Sequence, residues 1–79
     1  MEDKIRAHFA MVLGESPDAI SHDTRPPNLA RWDSLQHLIL VSSFEEEFGI
    51  DIDPEEVVVM YEDFGSFLQV VMQKVAKSK

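Results

Sequence analysis

Residues 32–49 of the chain, WDSLQHLILVSSFEEEFG, contain its longest helical pattern and decide the fold. Apolar residues recur in this stretch at the spacing that is typical of an amphipathic helix. Asp33 is the expected N-cap, with Gln36 at the third helical position as in a capping box, and Gly49 is the expected stop. Ser34 therefore lies in the first turn, where unpaired backbone N–H groups and the positive end of the helix dipole suit a phosphate.

The predicted helix has two faces that are both partly apolar. A helix that served only a core would be polar on its outer face. We therefore predict that the outer face docks onto proteins, through apolar contacts near Ser34 and acidic contacts further along. The alternative is that the preceding loop covers Leu35 and Leu38. The expected core stripe consists of His37, Leu40, Val41, Phe44 and Phe48, and the outer face carries Leu35, Leu38, Ile39, Ser42, Glu45 and Glu46.

Periodicity and capping signals place three more helices around this one. We expect helices at about residues 2–13, 34–48, 54–60 and 64–76. The third is short and begins at Asp53-Pro54, but its run Val57–Val59 forms helix poorly, so a strand is the competing prediction there. Ser16-Pro17 should open one short turn, and residues 22–30, with two consecutive prolines, should be irregular.

These elements predict an all-α fold. It is a small antiparallel bundle of three long helices and one short helix, with a long loop between the first two helices. We expect residues 1–79 to form a single domain.

The acidic residues are concentrated in one segment of the chain. The net charge is −8, and residues 32–73 contain ten Asp or Glu and no Lys or Arg. Such a charge repels nucleic acid and attracts basic patches on proteins, although an acidic run can also serve solubility alone. The chain has no cysteine, no apolar stretch of about 18 residues, and an N-terminus unlike a signal peptide. We expect a monomeric cytoplasmic protein without a membrane span.

The motif Trp32-Asp33-Ser34-Leu35, followed by the segment EEEFGIDI at residues 45–52, resembles the acyl carrier proteins of the phosphopantetheine-binding family. The resemblance implies that a phosphopantetheinyl transferase moves 4′-phosphopantetheine from coenzyme A onto Ser34, where its thiol holds acyl groups as thioesters. It implies that Asp33 takes part in loading and that Leu35 packs against the transferase or the arm. The chain would then be a partner of acyl-loading and acyl-transfer enzymes with basic docking patches, and not an enzyme. The expected docking residues are Leu38, Ile39, Ser42, Glu45 and Glu46.

The chain departs from general fatty-acid carriers close to the serine. Gln36-His37 stands where an acid often follows the leucine, and Ile39 stands where many relatives are polar. This more apolar face suggests a specialised fatty-acid, polyketide or related pathway. Two alternatives stay open: an aminoacyl carrier of the D-alanine type, which also shows Trp-Asp-Ser, and an unmodified acidic helical adaptor that binds a basic protein.

Two other chemistries are weaker hypotheses. Ser34 and His37 share a helix face, but the sequence shows no oxyanion hole or substrate pocket, so we predict no catalytic residue. The acids from Asp51 to Glu62 have a spacing like that of an EF-hand, but Glu56 occupies the required glycine position. We therefore expect no specific metal site, only loose divalent binding by clustered carboxylates. Those carboxylates are Asp51, Asp53, Glu55 and Glu56.

Overall fold

A computed structural model describes residues 1–77 of the chain. The helices are α1 (Glu2–Leu13), α2 (Ser34–Phe48), α3 (Pro54–Met60) and α4 (Phe64–Lys77). The expected all-α fold of three long helices and one short helix is confirmed. Residues 1–77 contain no strand, so the competing prediction for Val57–Val59 is wrong, and α4 extends to Lys77, the last residue described. No helix in this described part is long and apolar enough to cross a membrane.

Local chemistry explains where the helices begin and end. The Asp33 carboxylate accepts a hydrogen bond of 2.8 Å from the Gln36 backbone N–H and so caps α2. The backbone N–H of Asp53 donates to the Glu56 carboxylate at 2.9 Å, at the start of α3. Gly14 and Gly49 end α1 and α2 with φ angles of 71° and 64°, which a residue without Cβ adopts at little cost.

The core contains a cluster of aromatic rings between α1, the long loop and α4. Phe9 lies at its centre, with edge-to-face contacts to Trp32, Phe64 and Phe67 at centroid distances of 5.0, 4.9 and 5.0 Å. Phe44 of α2 reaches the same cluster through Phe67 at 4.9 Å. Burying a Phe side chain contributes about 1.5–3 kcal/mol, and edge-to-face geometry adds about 0.5–1.5 kcal/mol per pair.

The loop between α1 and α2 is tied to the core rather than to the outer face of α2. Ile20, Leu29 and Trp32 are buried along it. Two of its carbonyls, those of His22 and Thr24, accept hydrogen bonds from the first backbone N–H groups of α4. The segment expected to be irregular contains a 3₁₀ turn at Pro26–Asn28, because prolines at a helix start lose no hydrogen bond.

α3 is held by its inner side and by polar contacts with the neighbouring helices. Met60 is buried and Val57 packs against the core, whereas Val58 and Val59 are exposed. The Lys74 ammonium on α4 lies 2.9 Å from the Glu56 carboxylate and 3.7 Å from that of Asp53. These contacts fix α3 against α4 and leave Val58 and Val59 facing outward.

Candidate functional site

Ser34 is the first residue of α2 and its side chain is exposed. The first N–H groups of a helix have no partner within it, and here Asp33 satisfies only that of Gln36. The N–H groups of Ser34 and Leu35 therefore remain as donors beside the serine hydroxyl. A phosphate ester on this hydroxyl would lie at the positive end of a helix of 15 residues.

The outer face of α2 is open, as predicted. Leu35, Leu38 and Ile39 are 66%, 59% and 46% exposed, so the alternative that the loop covers them is wrong. The structure brings most of the expected docking residues together around one shallow hollow. The residues of the outer face of α2 that line this hollow are Leu35, Leu38, Ile39, Ser42 and Glu46, and the name is kept for these five.

Glu45 takes a different position from the other expected docking residues. Its carboxylate is half-buried and accepts a hydrogen bond of 2.8 Å from the backbone N–H of Ile52. The contact ties the C-terminal turn of α2 to the segment that leads into α3. Glu46, one residue later, is exposed on the outer face. Of the two acids, Glu46 is therefore the one whose carboxylate is available to a partner at this end of the outer face.

A cavity of about 250 Å³ opens next to Ser34, between α2 and α3. The sequence did not indicate that α3 contributes to the site. The sequence feature that could have indicated this is the run of three valines at 57–59. A short helix cannot bury three consecutive side chains on one face, so at least one of them has to point elsewhere. We call this space the Ser34 cavity; it is lined by Ser34, His37, Leu38, Val57, Val58 and Tyr61.

The His37 imidazole has both of its nitrogens occupied. Trp32 Nε1 donates to His37 Nδ1 at 3.0 Å, and His37 Nε2 lies 2.8 Å from the Val57 carbonyl oxygen. Since indole N–H only donates, Nδ1 is the acceptor and Nε2 carries the proton. Burial lowers the pKa of His37 from its ordinary value, and the bond to the Val57 carbonyl opposes this more weakly. His37 thus has no free nitrogen with which to activate the Ser34 hydroxyl.

The acidic segment after α2 does not form a metal centre in the described structure. Residues 1–77 hold no group of three or more His, Asp or Glu side chains placed to bind a metal. Asp53 and Glu56 instead share the Lys74 ammonium. The hydrogen bond from the Asp53 backbone N–H, and after it the Lys74 ammonium, lower the pKa of Glu56. Asp51 and Glu55 are exposed, and loose divalent binding near them stays a prediction.

The helical arrangement matches that of a solved structure. The solution NMR structure of holo acyl carrier protein from Geobacter metallireducens matches it with a TM-score of 0.85 at 23% identity, over 98% of this chain and 87% of that chain. Residues 3–71 match the family described as "Phosphopantetheine attachment site". The chain therefore belongs to the phosphopantetheine-binding carrier family, whose prosthetic group is covalently attached 4′-phosphopantetheine. No curated protein sequence matches it.

Proposed function

We propose that the chain is an acyl carrier protein that carries 4′-phosphopantetheine on Ser34 and presents acyl groups to partner enzymes. The observation that carries this proposal is an exposed serine hydroxyl at the first position of α2, inside the segment that matches the family. The chain would be a substrate and partner of enzymes rather than an enzyme. We propose a specialised fatty-acid, polyketide or related pathway, because the outer face of α2 presents the apolar side chains of Leu35, Leu38 and Ile39 next to Ser34.

The residues around Ser34 fit the prosthetic group. The Ser34 hydroxyl provides the oxygen of the phosphodiester, and the N–H groups of Ser34 and Leu35 point to where its negative charge would lie. Asp33 holds the helix start in place by binding the Gln36 N–H instead. When bound, the group supplies the thiol that holds the acyl chain as a thioester. α2 is well anchored in the core, so the attachment point stays fixed while the arm moves.

The Ser34 cavity supports an acyl rather than an aminoacyl cargo. Its lining includes aliphatic side chains from both helices, Leu38, Val57 and Val58, and the aromatic ring of Tyr61. Among the described residues that line it there is no Asp or Glu, so an ammonium group entering it would lose hydration without gaining a charged partner from them. This argues against the D-alanine-type carrier.

The outer face of α2 fits the partners expected of a carrier. Its apolar residues lie next to Ser34 and Glu46 lies further along, so it suits an enzyme with an apolar patch and a basic rim. We propose the phosphopantetheinyl transferase and the acyl-loading and acyl-transfer enzymes as these partners. A monomeric, cytoplasmic state and a single domain remain predictions.

Loading of the chain tests the proposal. Incubation with coenzyme A and a broad-specificity phosphopantetheinyl transferase should add the mass of one arm. Ser34→Ala should stay folded and unmodified, because the hydroxyl is exposed and has no role in packing. Ser16→Ala is the control, since Ser16 is an exposed serine outside α2 and outside the outer face, and it should load like the parent.

Each alternative result has a defined meaning. Modification of the Ser34→Ala chain would place the arm elsewhere. A parent chain that several transferases fail to load would favour the unmodified acidic adaptor, which needs the outer face of α2 but not the serine hydroxyl.

A further inference from the structure

We propose that Tyr61 sets the length of the acyl chain that the Ser34 cavity can shelter, because its ring separates that cavity from a second hollow. This rests on the proposed function, since only a loaded chain carries cargo. It narrows the substrate class to acyl groups of up to about eight carbons, a limit fixed by one side chain.

The first step is the position of Tyr61 between two spaces. Of the described residues, Tyr61 alone lines both the Ser34 cavity and a second hollow of about 450 Å³. We call this second space the Arg25 hollow; its charged lining residues are Arg25, Asp33 and Glu62. The two spaces therefore lie on either side of one residue, which directly follows α3.

The second step is what holds the Tyr61 ring in that place. Its centroid lies 4.8 Å from that of His37, which lines the cavity, and 5.8 Å from that of Trp32, which lines the hollow. The preceding residue, Met60, is fully buried in the core and anchors the backbone at this point. The ring is therefore a fixed part of the wall between the two spaces.

The third step is the capacity of the Ser34 cavity. An apolar cavity of about 150 Å³ holds benzene, which has six carbon atoms. By this measure the Ser34 cavity, at about 250 Å³, holds about ten non-hydrogen atoms. An octanoyl thioester group has that size, with its sulfur and carbonyl oxygen at the mouth and its chain inside. Further carbons would meet the Tyr61 ring and stay in water.

The fourth step is the chemistry on the far side of the ring. The Arg25 hollow is charged, but Trp32, Pro26 and Pro27 also line it. If the ring were absent, the end of a longer chain could enter the hollow and bury itself against those three apolar side chains. A small residue in place of Tyr61 should therefore raise the length limit rather than abolish the shelter.

A chain-length series on the loaded protein tests this role. A phosphopantetheinyl transferase loads the parent from acyl-coenzyme A thioesters, butyryl to myristoyl, and urea unfolding is compared with that of the holo chain without an acyl group. Each CH₂ that enters the cavity should lower the equilibrium constant of unfolding by up to about fourfold, because its burial stabilises only the folded chain. The effect should grow up to octanoyl and stay constant for longer chains.

Variants at two positions separate the ring from other causes, each compared with its own holo form. Tyr61→Ala, or Tyr61→Val where the alanine variant fails to fold, should move the plateau to decanoyl or longer. Tyr61→Phe keeps the ring and should keep the octanoyl limit. Val59→Ala is the control for α3, since Val59 is exposed and lines neither space, and it should keep the limit too.

Failure of this role and failure of the proposed function give different results. A parent chain that takes up no arm overturns the proposed function, and the role of Tyr61 with it. In a parent chain that loads, stabilisation that is absent at every length or still grows to myristoyl overturns the role of Tyr61 alone, and needs no variant. A plateau that stays at octanoyl in a folded Tyr61→Ala or Tyr61→Val chain, or that moves in Tyr61→Phe, does the same.

Discussion

The same substitution at two positions of α2 separates its structural face from the face that we propose for docking. Leu40 is 0% exposed and Leu38 is 59% exposed, although they lie only two residues apart. Leu40→Ala should lower the free energy of unfolding by about 2–5 kcal/mol, as in other close-packed cores. Leu38→Ala should change it by less than about 1 kcal/mol. A domain of this size has a total stability of roughly 4–12 kcal/mol, so the difference is large.

Binding should respond in the opposite order. A partner that covers the outer face of α2 would remove the 59% of Leu38 that is still accessible. Since full burial of a Leu side chain contributes about 1.5–3 kcal/mol, this fraction corresponds to about 1–2 kcal/mol. Leu38→Ala should then weaken binding to the transferase by about 5- to 30-fold. Leu40→Ala should bind like the parent wherever it remains folded.

The assay combines urea unfolding, followed by circular dichroism, with the dissociation constant for a phosphopantetheinyl transferase. Both variants are measured under conditions in which each is folded. The assignment of the two faces is wrong if Leu38→Ala loses more than about 2 kcal/mol of stability. A Leu38→Ala chain that matches the parent in both measurements would show that Leu38 contributes to neither packing nor docking.

Two further predictions follow from single contacts. Glu46→Lys should weaken partner binding and flatten its salt dependence while leaving stability unchanged. Glu45→Lys should lower the free energy of unfolding by about 1–3 kcal/mol, because it leaves the Ile52 N–H without its acceptor. Urea unfolding and binding measured at two salt concentrations distinguish the two variants, and equal stability losses would contradict the assignment. Burial makes the pKa of His37 lower in the folded chain than in the unfolded chain. The neutral ring therefore contributes its full share of the free energy of unfolding above about pH 6.5. As the pH falls from there towards the pKa of the folded chain, stability should drop by up to about 1.4 kcal/mol per pH unit. The lowered pKa values of Glu2 and Glu56 reduce stability only near and below pH 4.5. If the stability of His37→Asn fell as steeply as that of the parent between pH 6.5 and 5, the prediction would be refuted.

The parts of the fold that depend on local sequence were predictable. Asp33 and Gly49 mark the ends of α2 because capping and left-handed termination depend on residues within one turn. The position of Ser34 at the helix start follows from the same signals. The exposure of Leu35 and Leu38 was also predictable, because helical periodicity separates them from the residues that the core needs.

The parts that depend on tertiary contacts were not predictable. Periodicity places Glu45 on the outer face with Glu46, but the backbone of Ile52 lies close enough to engage its carboxylate. Val58 lies beside Ser34 because of the way α3 packs against α4. The contact of Lys74 with Glu56 joins those two helices, and the positions of the two residues in the sequence do not predict it. Such contacts join residues far apart in sequence, and only the folded chain defines them.

The distribution of chemistry along α2 would give the proposed docking a direction. Glu46 lies 12 residues after Ser34, which corresponds to about 18 Å along the helix, since each residue rises 1.5 Å. An enzyme that contacts Leu38 with an apolar patch and Glu46 with a basic residue can bind the helix in only one direction. The reverse orientation would place the basic residue against leucines and leave the Glu46 carboxylate unpaired. Ser34 then always lies at the same end of the contact. A flexible arm needs this fixed origin, because its reach into an active site is defined only when the distance from serine to entrance is constant.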